Sequence, residues 1–314
     1  MGDDKMKKIS IVSSCYNEEG NVGEMYTEVR KVFSELPQYA YEYIFIDNCS
    51  EDRTVEVLKE IAKNDKNVKI IVNTKNFGHI RSPFYGIMQA NGDAVVYLAS
   101  DLQEPPYLIK DFVGKWEKGC KVVVGVKSKS KENVAMFMIR RIYYRFINFI
   151  SEARQIKNFT GFGLYDREVI DEIRKIDDPY PYFRGLIAEI GFDIAIVEYI
   201  QPKRKSGVTK NNFYTLFDMA MLGFVNNSKV PLRIMIFMGM VCSAICFLTG
   251  IGYLVYKVLF WDRFKLGVAP LIIGVFLFFS GQLFFFGILG EYIGAIYTQV
   301  KKRPLVFEKE RINF

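Results

Sequence analysis

Hydrophobic and polar residues follow two different spacings over residues 8–230. Short apolar runs bounded by polar turns predict buried strands, and apolar residues spaced three and four apart between them predict helices. The predicted strands cover residues 8–16, 41–50, 68–74, 93–99 and 121–127, and the predicted helices cover 22–36, 54–65 and 84–91, with one more helix before the fifth strand. This alternation predicts an α/β fold, a parallel, doubly wound sheet with helices on both faces.

The pattern changes near residue 231. Residues 234–256 and 266–290 contain no charged side chain. Because about 20 apolar residues span a bilayer core as a helix, each segment predicts a transmembrane helix. Lysine and arginine residues are denser on the two outer flanks than in the connecting loop, which predicts that both termini and the α/β domain are cytoplasmic in a multi-pass protein of the inner (plasma) membrane.

The segment before the first apolar helix has a different pattern. Phe213, Phe217 and Phe224 recur at helical spacing together with other apolar residues. Such a helix either packs on the soluble domain or lies in the membrane interface, and its aromatic content beside flanking lysines favours the interface. The predicted division is therefore an α/β domain at 1–210, an interfacial helix at 211–230, a transmembrane hairpin at 231–300 and a basic cytosolic tail at 301–314.

Composition excludes several kinds of site. The 314 residues carry a formal charge of +7, with five cysteines and a single histidine. No cysteine pair has a zinc or CxxC spacing, and one histidine cannot supply a two-histidine metal site. His79 itself is best interpreted as a polar residue after a strand. The phosphate loops GxxxxGK[ST] and GxGxxG are both absent from the sequence, which argues against ordinary ATPases and dinucleotide-binding enzymes.

Four polar clusters follow predicted strands. Taken singly, each could be a polar turn or the N-cap of the next helix. Because ligands of such sheets bind beyond the carboxyl ends of the strands, the four together indicate a shared site. The clusters contain Tyr16, Asn17 and Glu18; Asp47, Asn48, Ser50 and Asp52; Asp101 and Gln103; and Lys127, Lys129 and Lys131.

The residue types in these clusters suit a nucleotide diphosphate. The Asp101 carboxylate and the Gln103 amide oxygen are hard ligands for Mg²⁺ or Mn²⁺, ions that commonly bind diphosphates. Tyr16 and Asn48 offer stacking and hydrogen bonding to a base, and lysines can neutralise phosphate charge. The pattern therefore predicts a metal-dependent nucleotide site.

Several motifs then match a known family. The segments "YNEEGNV", "FIDNCSEDRT", "NFGH", "ASDLQEPP", "GFGLYDREVID", "RKSGVTK" and "GEYIGAIYTQVKKRP" resemble those of family 2 glycosyltransferases, and more closely those of the polyprenyl-phosphate sugar transferases. The resemblance covers nearly the whole chain and implies a GT-A fold. It also implies inverting transfer of a sugar from a nucleotide donor, with uracil as the expected base, to the phosphate of a membrane polyprenyl phosphate.

The resemblance also implies residue roles. The metal ligands fall on Asp101 and Gln103. Apart from the resemblance, the charge of Arg140 and Arg141 makes them the expected receivers of the acceptor phosphate, and the alternative for them is a solvated helix face. The expected catalytic residues are Asp101, Lys127, Arg204 and Lys210. The expected nucleotide-binding residues are Ser14, Tyr16, Glu18, Ile46, Asp47, Asn48, Ser100 and Asp101.

Three positions depart from the family pattern. Ala99 stands where an acidic residue is frequent, Asn48 replaces an aspartate, and Lys127 replaces an arginine. The sequence also has to be compared with two other functions, a processive polysaccharide synthase and an inactive nucleotide-sugar-binding scaffold. The chain lacks the QxxRW element of processive synthases, and its intact motif residues argue against an inactive scaffold. The resemblance suggests a homo-oligomer, a tetramer, and gives no indication of nucleic-acid binding.

Overall fold

A computed structural model describes residues 6–129, 156–202, 230–260 and 268–314 of the chain. Its catalytic part is built on an eight-stranded sheet with the order β7-β5-β6-β4-β1-β2-β3-β8. The strands are β1 (Lys8–Cys15), β2 (Ala40–Asp47), β3 (Val68–Asn73), β4 (Ala94–Tyr97), β5 (Val122–Lys129), β6 (Phe159–Asp166), β7 (Ile194–Ile200) and β8 (Glu308–Ile312).

The sheet is mostly parallel, as predicted, but two strands run the other way. β1 pairs in parallel with β2 and β4, β2 with β3, and β5 with β7. β6 is antiparallel to β4 and β5, and β8 is antiparallel to β3. The predicted mostly parallel, Rossmann-like GT-A fold is therefore confirmed, with β6 and β8 as its antiparallel strands.

Helices cover both faces of the sheet. One hydrophobic core packs α1, α2 and α4 on one face, and a second packs α3, α5 and α6 on the other. In α1, Val22, Met25 and Val29 are buried at helical spacing, and each such side chain contributes about 1.5–3 kcal/mol of hydrophobic stabilisation. The helices are α1 (Val22–Ser34), α2 (Thr54–Asn64), α3 (Gly78–Met88), α4 (Ile109–Trp116), α5 (Arg167–Arg174) and α6 (Phe183–Glu189).

A buried carboxylate joins three strands at the amino end of the sheet. Glu42 of β2 accepts hydrogen bonds from the Nζ atoms of Lys8 and Lys69, both at 2.8 Å, and from Ser10 Oγ at 2.6 Å. Burial alone would raise the pKa of Glu42, but these hydrogen bonds outweigh it and lower the pKa to about 2. The ionised carboxylate therefore stabilises the folded state.

Replacing Glu42 with Gln should lower the free energy of unfolding by about 3 kcal/mol at pH 7, because two lysines lose a buried partner. Since the folded pKa lies below the ordinary value of 4.5, the stabilisation is present above pH 4.5 and is lost as pH falls toward 2. Denaturant unfolding at several pH values measures both effects. Glu60→Gln, at an exposed position of α2, is the control; equal stability of the two variants at pH 7 would refute the assignment.

Two long apolar helices follow the sheet domain in the chain, α7 (Val230–Leu259) and α8 (Val268–Lys301). Residues Leu232–Gly252 and Phe278–Lys301 are long and apolar enough to cross a membrane, and almost none of these side chains is buried within the protein. Exposure of so much apolar surface fits a bilayer environment better than water. The predicted interfacial helix at 211–230 lies outside the described residues except for Val230, which begins α7.

The segment after α8 belongs to the catalytic sheet. β8 pairs with β3, Lys59 Nζ contacts Glu310 Oε2 at 2.5 Å, and Tyr85 Oη donates to Glu308 Oε1 at 2.7 Å. Residues 301–314 were predicted as a separate basic tail. The structure corrects this, because charged residues of the segment pair with α2 and α3 while its backbone extends the sheet.

Candidate functional site

The carboxyl ends of β4, β1 and β2 meet at one edge of the sheet. The backbone N–H of Asn48 donates to Cys15 O at 2.9 Å, and the N–H of Ser100 donates to Ser14 O at 3.3 Å. The chain therefore stays paired just beyond these strands, and three of the predicted polar clusters lie side by side. The fourth, Lys127, is near the carboxyl end of β5, which runs parallel to β4 on the far side of β6.

The first two clusters hold each other in place. Asn17 adopts a left-handed conformation with φ 55°, its N–H donates to Ser50 Oγ at 2.9 Å, and its Oδ1 accepts from Glu51 N at 2.8 Å. The N–H of Glu18 donates to Thr54 Oγ1 at 2.8 Å. These bonds fix the turn after β1 against the start of α2, so the backbone around the predicted nucleotide residues is rigid.

Asn48 has a structural partner for each of its polar groups. Its Nδ2 donates to Asn76 Oδ1 at 2.8 Å and to Gly78 O at 3.2 Å, and its Oδ1 accepts from Phe77 N at 2.8 Å and from Asn73 Nδ2 at 3.2 Å. An amide side chain has two donor hydrogens and two acceptor lone pairs, so all four are used. In this conformation Asn48 holds the "NFGH" loop, and its contact with a base stays a prediction.

The other predicted nucleotide residues differ in accessibility. Ile46, Asp47 and Ser100 are buried, whereas Ser14 and Tyr16 are partly exposed. Burial raises the pKa of Asp47, whose carboxylate also accepts from Ser50 N at 2.9 Å. Ser14 Oγ lies 3.1 Å from Tyr97 Oη. A nucleotide could therefore contact the partly exposed residues directly, while the buried residues contribute only to the shape of the site.

The third cluster forms a tight turn after β4. Asp101 Oδ1 accepts from Gln103 N at 3.1 Å, and Leu102 between them has φ 57°. Glu104 is buried and accepts from Ala99 N at 2.7 Å and from Thr160 Oγ1 at 2.6 Å. Burial raises the pKa of Glu104. Its two hydrogen bonds tie the turn to β4 and β6, so that Asp101 and Gln103 are presented together at the surface.

Asp101 and Gln103 open into a cleft of about 290 Å³ between α3 and α6. Its lining also includes the polar residues Lys127, His79 and Arg184 and the apolar residues Phe84 and Phe183. Desolvation, and secondarily the charge of Arg184, lower the pKa of His79. The cleft therefore combines two side chains that offer oxygen donors, two cationic side chains and several apolar side chains.

These residues fit a divalent cation bound together with a phosphate ligand. Within the described ranges, no three His, Cys, Asp or Glu side chains form a metal cluster. Asp101 and Gln103 supply two hard oxygen donors from one turn, and Mg²⁺ commonly takes few protein ligands and fills its remaining positions with water and phosphate oxygens. The donor set suits Mg²⁺ or Mn²⁺ on a diphosphate.

Two residues of the cleft, His79 and Arg184, are not among the site residues predicted from the sequence. His79 was interpreted as a polar residue after a strand, but it lies in the first turn of α3 and faces the cleft. Arg184 was not singled out, since its short helix has no strong period. Five predicted site residues lie outside the described part of the chain: Lys131, Arg140, Arg141, Arg204 and Lys210.

A mostly parallel Rossmann-like sheet with a carboxylate and an amide beyond a central strand defines an α/β protein whose ligand site lies beyond the carboxyl ends of its strands. The sequence model of the family described as Glycosyl transferase family 2 matches residues 10–174. The chain belongs to this family, and the predicted glycosyltransferase class is confirmed.

Two relatives and one solved structure show how far the similarity extends. An SfII prophage-derived bactoprenol glucosyl transferase from Shigella flexneri is 32% identical over 298 residues, covering 95% of this chain and 96% of that protein. The uncharacterized glycosyltransferase YkcC of Bacillus subtilis (strain 168) is 34% identical over 300 residues, covering 94% and 91%. A crystal structure of a mycobacterial protein has a TM-score of 0.51 at 17% identity, covering 70% of this chain and 73% of that one, which supports the fold alone.

Proposed function

We propose that this glycosyltransferase moves a sugar from a UDP-sugar to the phosphate of a membrane polyprenyl phosphate. The observation that carries the proposal is the cleft holding Asp101, Gln103, Lys127 and Arg184 in a chain with two helices apolar enough to cross a membrane. The similarity to a protein named as a bactoprenol glucosyl transferase supports a polyprenyl acceptor.

The reaction is a single displacement that inverts the anomeric configuration. A phosphate monoester is already anionic, so the acceptor needs alignment with the anomeric carbon more than it needs a general base. Asp101 and Gln103 would hold a divalent cation, which supplies charge stabilisation to the leaving diphosphate. Lys127, which also lines the cleft, would place a positive charge near the reacting phosphates.

The membrane arrangement extends the same proposal. With two spans, the catalytic domain and the segment after α8 lie on one side, and the basic flanks place that side in the cytoplasm of a plasma membrane. After α8 the chain returns to the catalytic sheet as β8, which supports placing the catalytic domain and this segment on the same side of the membrane. A homo-oligomer, expected as a tetramer, is proposed from the family resemblance.

Membranes containing the expressed chain should transfer label from a UDP-[¹⁴C]sugar to added undecaprenyl phosphate when Mg²⁺ or Mn²⁺ is present. The product should be an organic-soluble lipid that mild acid hydrolyses, and it should not form with undecaprenol, which lacks the phosphate. A panel of UDP- and GDP-sugars identifies the donor. Label appearing only in a long polymer, or no lipid product with any donor, would contradict the proposal.

A further inference from the structure

Arg184 is a half-buried cation of the cleft. It lies in the first turn of α6, where its Nη1 donates to Phe159 O at 3.4 Å and its guanidinium lies 5.3 Å from the ring centre of Tyr182. Among residues 6–129, 156–202, 230–260 and 268–314, no carboxylate forms an ion pair with it. Arginine without a carboxylate partner in a cleft has N–H groups available for an anionic ligand.

The order of the strands places Arg184 beyond the turn that contains Asp101 and Gln103, here called the metal turn. Along the edge, Asp47 ends β2, Ser14 lies near the end of β1, and Asp101 follows β4. Because β6 is antiparallel to β4, its first residues, Phe159 and Thr160, lie at this same edge, on the side of β4 away from β1 and β2. Arg184 contacts Phe159, so the metal turn separates it from the predicted nucleotide residues.

A single displacement fixes where the donor diphosphate and the acceptor phosphate lie relative to each other. The nucleophile approaches the anomeric carbon from the side opposite to the departing diphosphate. If the nucleotide lies over β1 and β2 with its diphosphate near Asp101, the acceptor phosphate enters over β6, where Arg184 lies. A guanidinium there matches a phosphate monoester in charge and in its planar pair of donors.

The loop that precedes Arg184 is tied to the second apolar helix. Gln299 Nε2 of α8 donates to Asp178 Oδ1 at 2.8 Å, and Lys302 Nζ lies 3.3 Å from Asp177 Oδ2. Only a few residues separate Asp178 from Arg184. The apolar Pro181, Tyr182 and Phe183 line the cleft between them. A lipid whose tail stays in the bilayer would therefore approach the cleft from this side.

We propose that Arg184 binds the phosphate of the lipid acceptor and positions it for attack on the donor sugar. This inference rests on the proposed polyprenyl-phosphate transfer and adds to it a residue that the family motifs did not indicate. The other acceptor candidates, Arg140 and Arg141, lie outside the described residues.

The test compares Arg184→Gln, Arg184→Lys and the control Arg30→Gln in membranes, with UDP-sugar and undecaprenyl phosphate varied separately. Loss of a charge-assisted bidentate contact should raise the KM for undecaprenyl phosphate about 30-fold in Arg184→Gln, while the KM for the UDP-sugar shifts less than about twofold. Arg184→Lys keeps the positive charge but lacks the planar guanidinium, so its KM for undecaprenyl phosphate should lie between the values of the wild type and Arg184→Gln. Arg30 is exposed on α1, on the opposite face of the sheet, so its variant should behave as the wild type.

The result also separates this inference from the proposed function. If the wild type makes no lipid-linked sugar, the proposed function and the inference both fail. If the wild type is active and Arg184→Gln has the same acceptor KM, or a raised donor KM instead, only the assignment of Arg184 is overturned. If Arg184→Gln does not fold, Arg184→Lys decides: a wild-type acceptor KM overturns the assignment, and a selectively raised one supports it.

Discussion

Asp101→Asn should reduce sugar transfer by about 1,000-fold or more, because it replaces the one charged ligand that the metal turn supplies. The fold should survive. Asp101 is only partly buried, and its observed hydrogen bond, which Oδ1 accepts from Gln103 N, can be kept by the asparagine oxygen. Initial rates with UDP-sugar and undecaprenyl phosphate, at several Mg²⁺ and Mn²⁺ concentrations, measure the effect.

Asp111→Asn provides the matched control, since Asp111 is exposed in the first turn of α4. It should keep wild-type rates and the same metal dependence. Weaker metal binding by Asp101→Asn should also appear as a higher Mn²⁺ concentration for half-maximal rate. An Asp101→Asn enzyme with wild-type turnover at low Mn²⁺ would show that the metal turn does not bind a catalytic ion.

Removing residues 306–314 should lower the free energy of unfolding of the catalytic domain by about 4 kcal/mol, because buried Val306 and the pairing of β8 with β3 are lost together. The newly exposed edge of β3 should exchange its amide hydrogens faster. Hydrogen exchange at Val68–Asn73 in detergent, with limited proteolysis, measures both consequences.

Lys309→Ala is the control for this deletion, since the Lys309 side chain is exposed. It should leave exchange in β3 unaltered. Exchange rates at Val68–Asn73 that are the same in the full and the shortened chain would mean that β8 does not hold the edge.

Most of the sheet could be predicted because its strands are short, apolar and separated by amphipathic helices. β6 lacks this pattern of a short, continuous apolar run. Its sequence "FTGFGLYD" contains Gly161, which has φ 104°, and Gly163, where a Cβ would lie 2.4 Å from Val123 O. The close approach of β5 requires glycine there, and glycine weakens any strand pattern. β8, with the sequence "EKERI", reads as a charged tail because an edge strand tolerates charged residues.

Some residues of the candidate site could also be predicted from the sequence, and others could not. Asp101 and Gln103 could be found because they directly follow an apolar strand, and the sheet brings such positions together. Arg184 could not, since its place in the cleft depends on β6 running antiparallel and on α6 packing beside Phe159. The sequence did not reveal that Asn48 is committed to the "NFGH" loop, because its four partners lie 25 to 30 residues away.

The position of β8 bears on how the protein is made. Ribosomes deliver the chain from the amino end, so β1 to β7 emerge before α7 and α8, and β8 emerges after them. If α7 and α8 cross the membrane as proposed, the outer edge of β3 stays unpaired until both helices have been inserted. In the proposed topology, β8 reaches that edge only when the end of α8 lies on the same side of the membrane as the catalytic domain. Completion of the sheet thus reports correct insertion, and a misinserted chain would keep an open strand edge that chaperones and proteases can recognise.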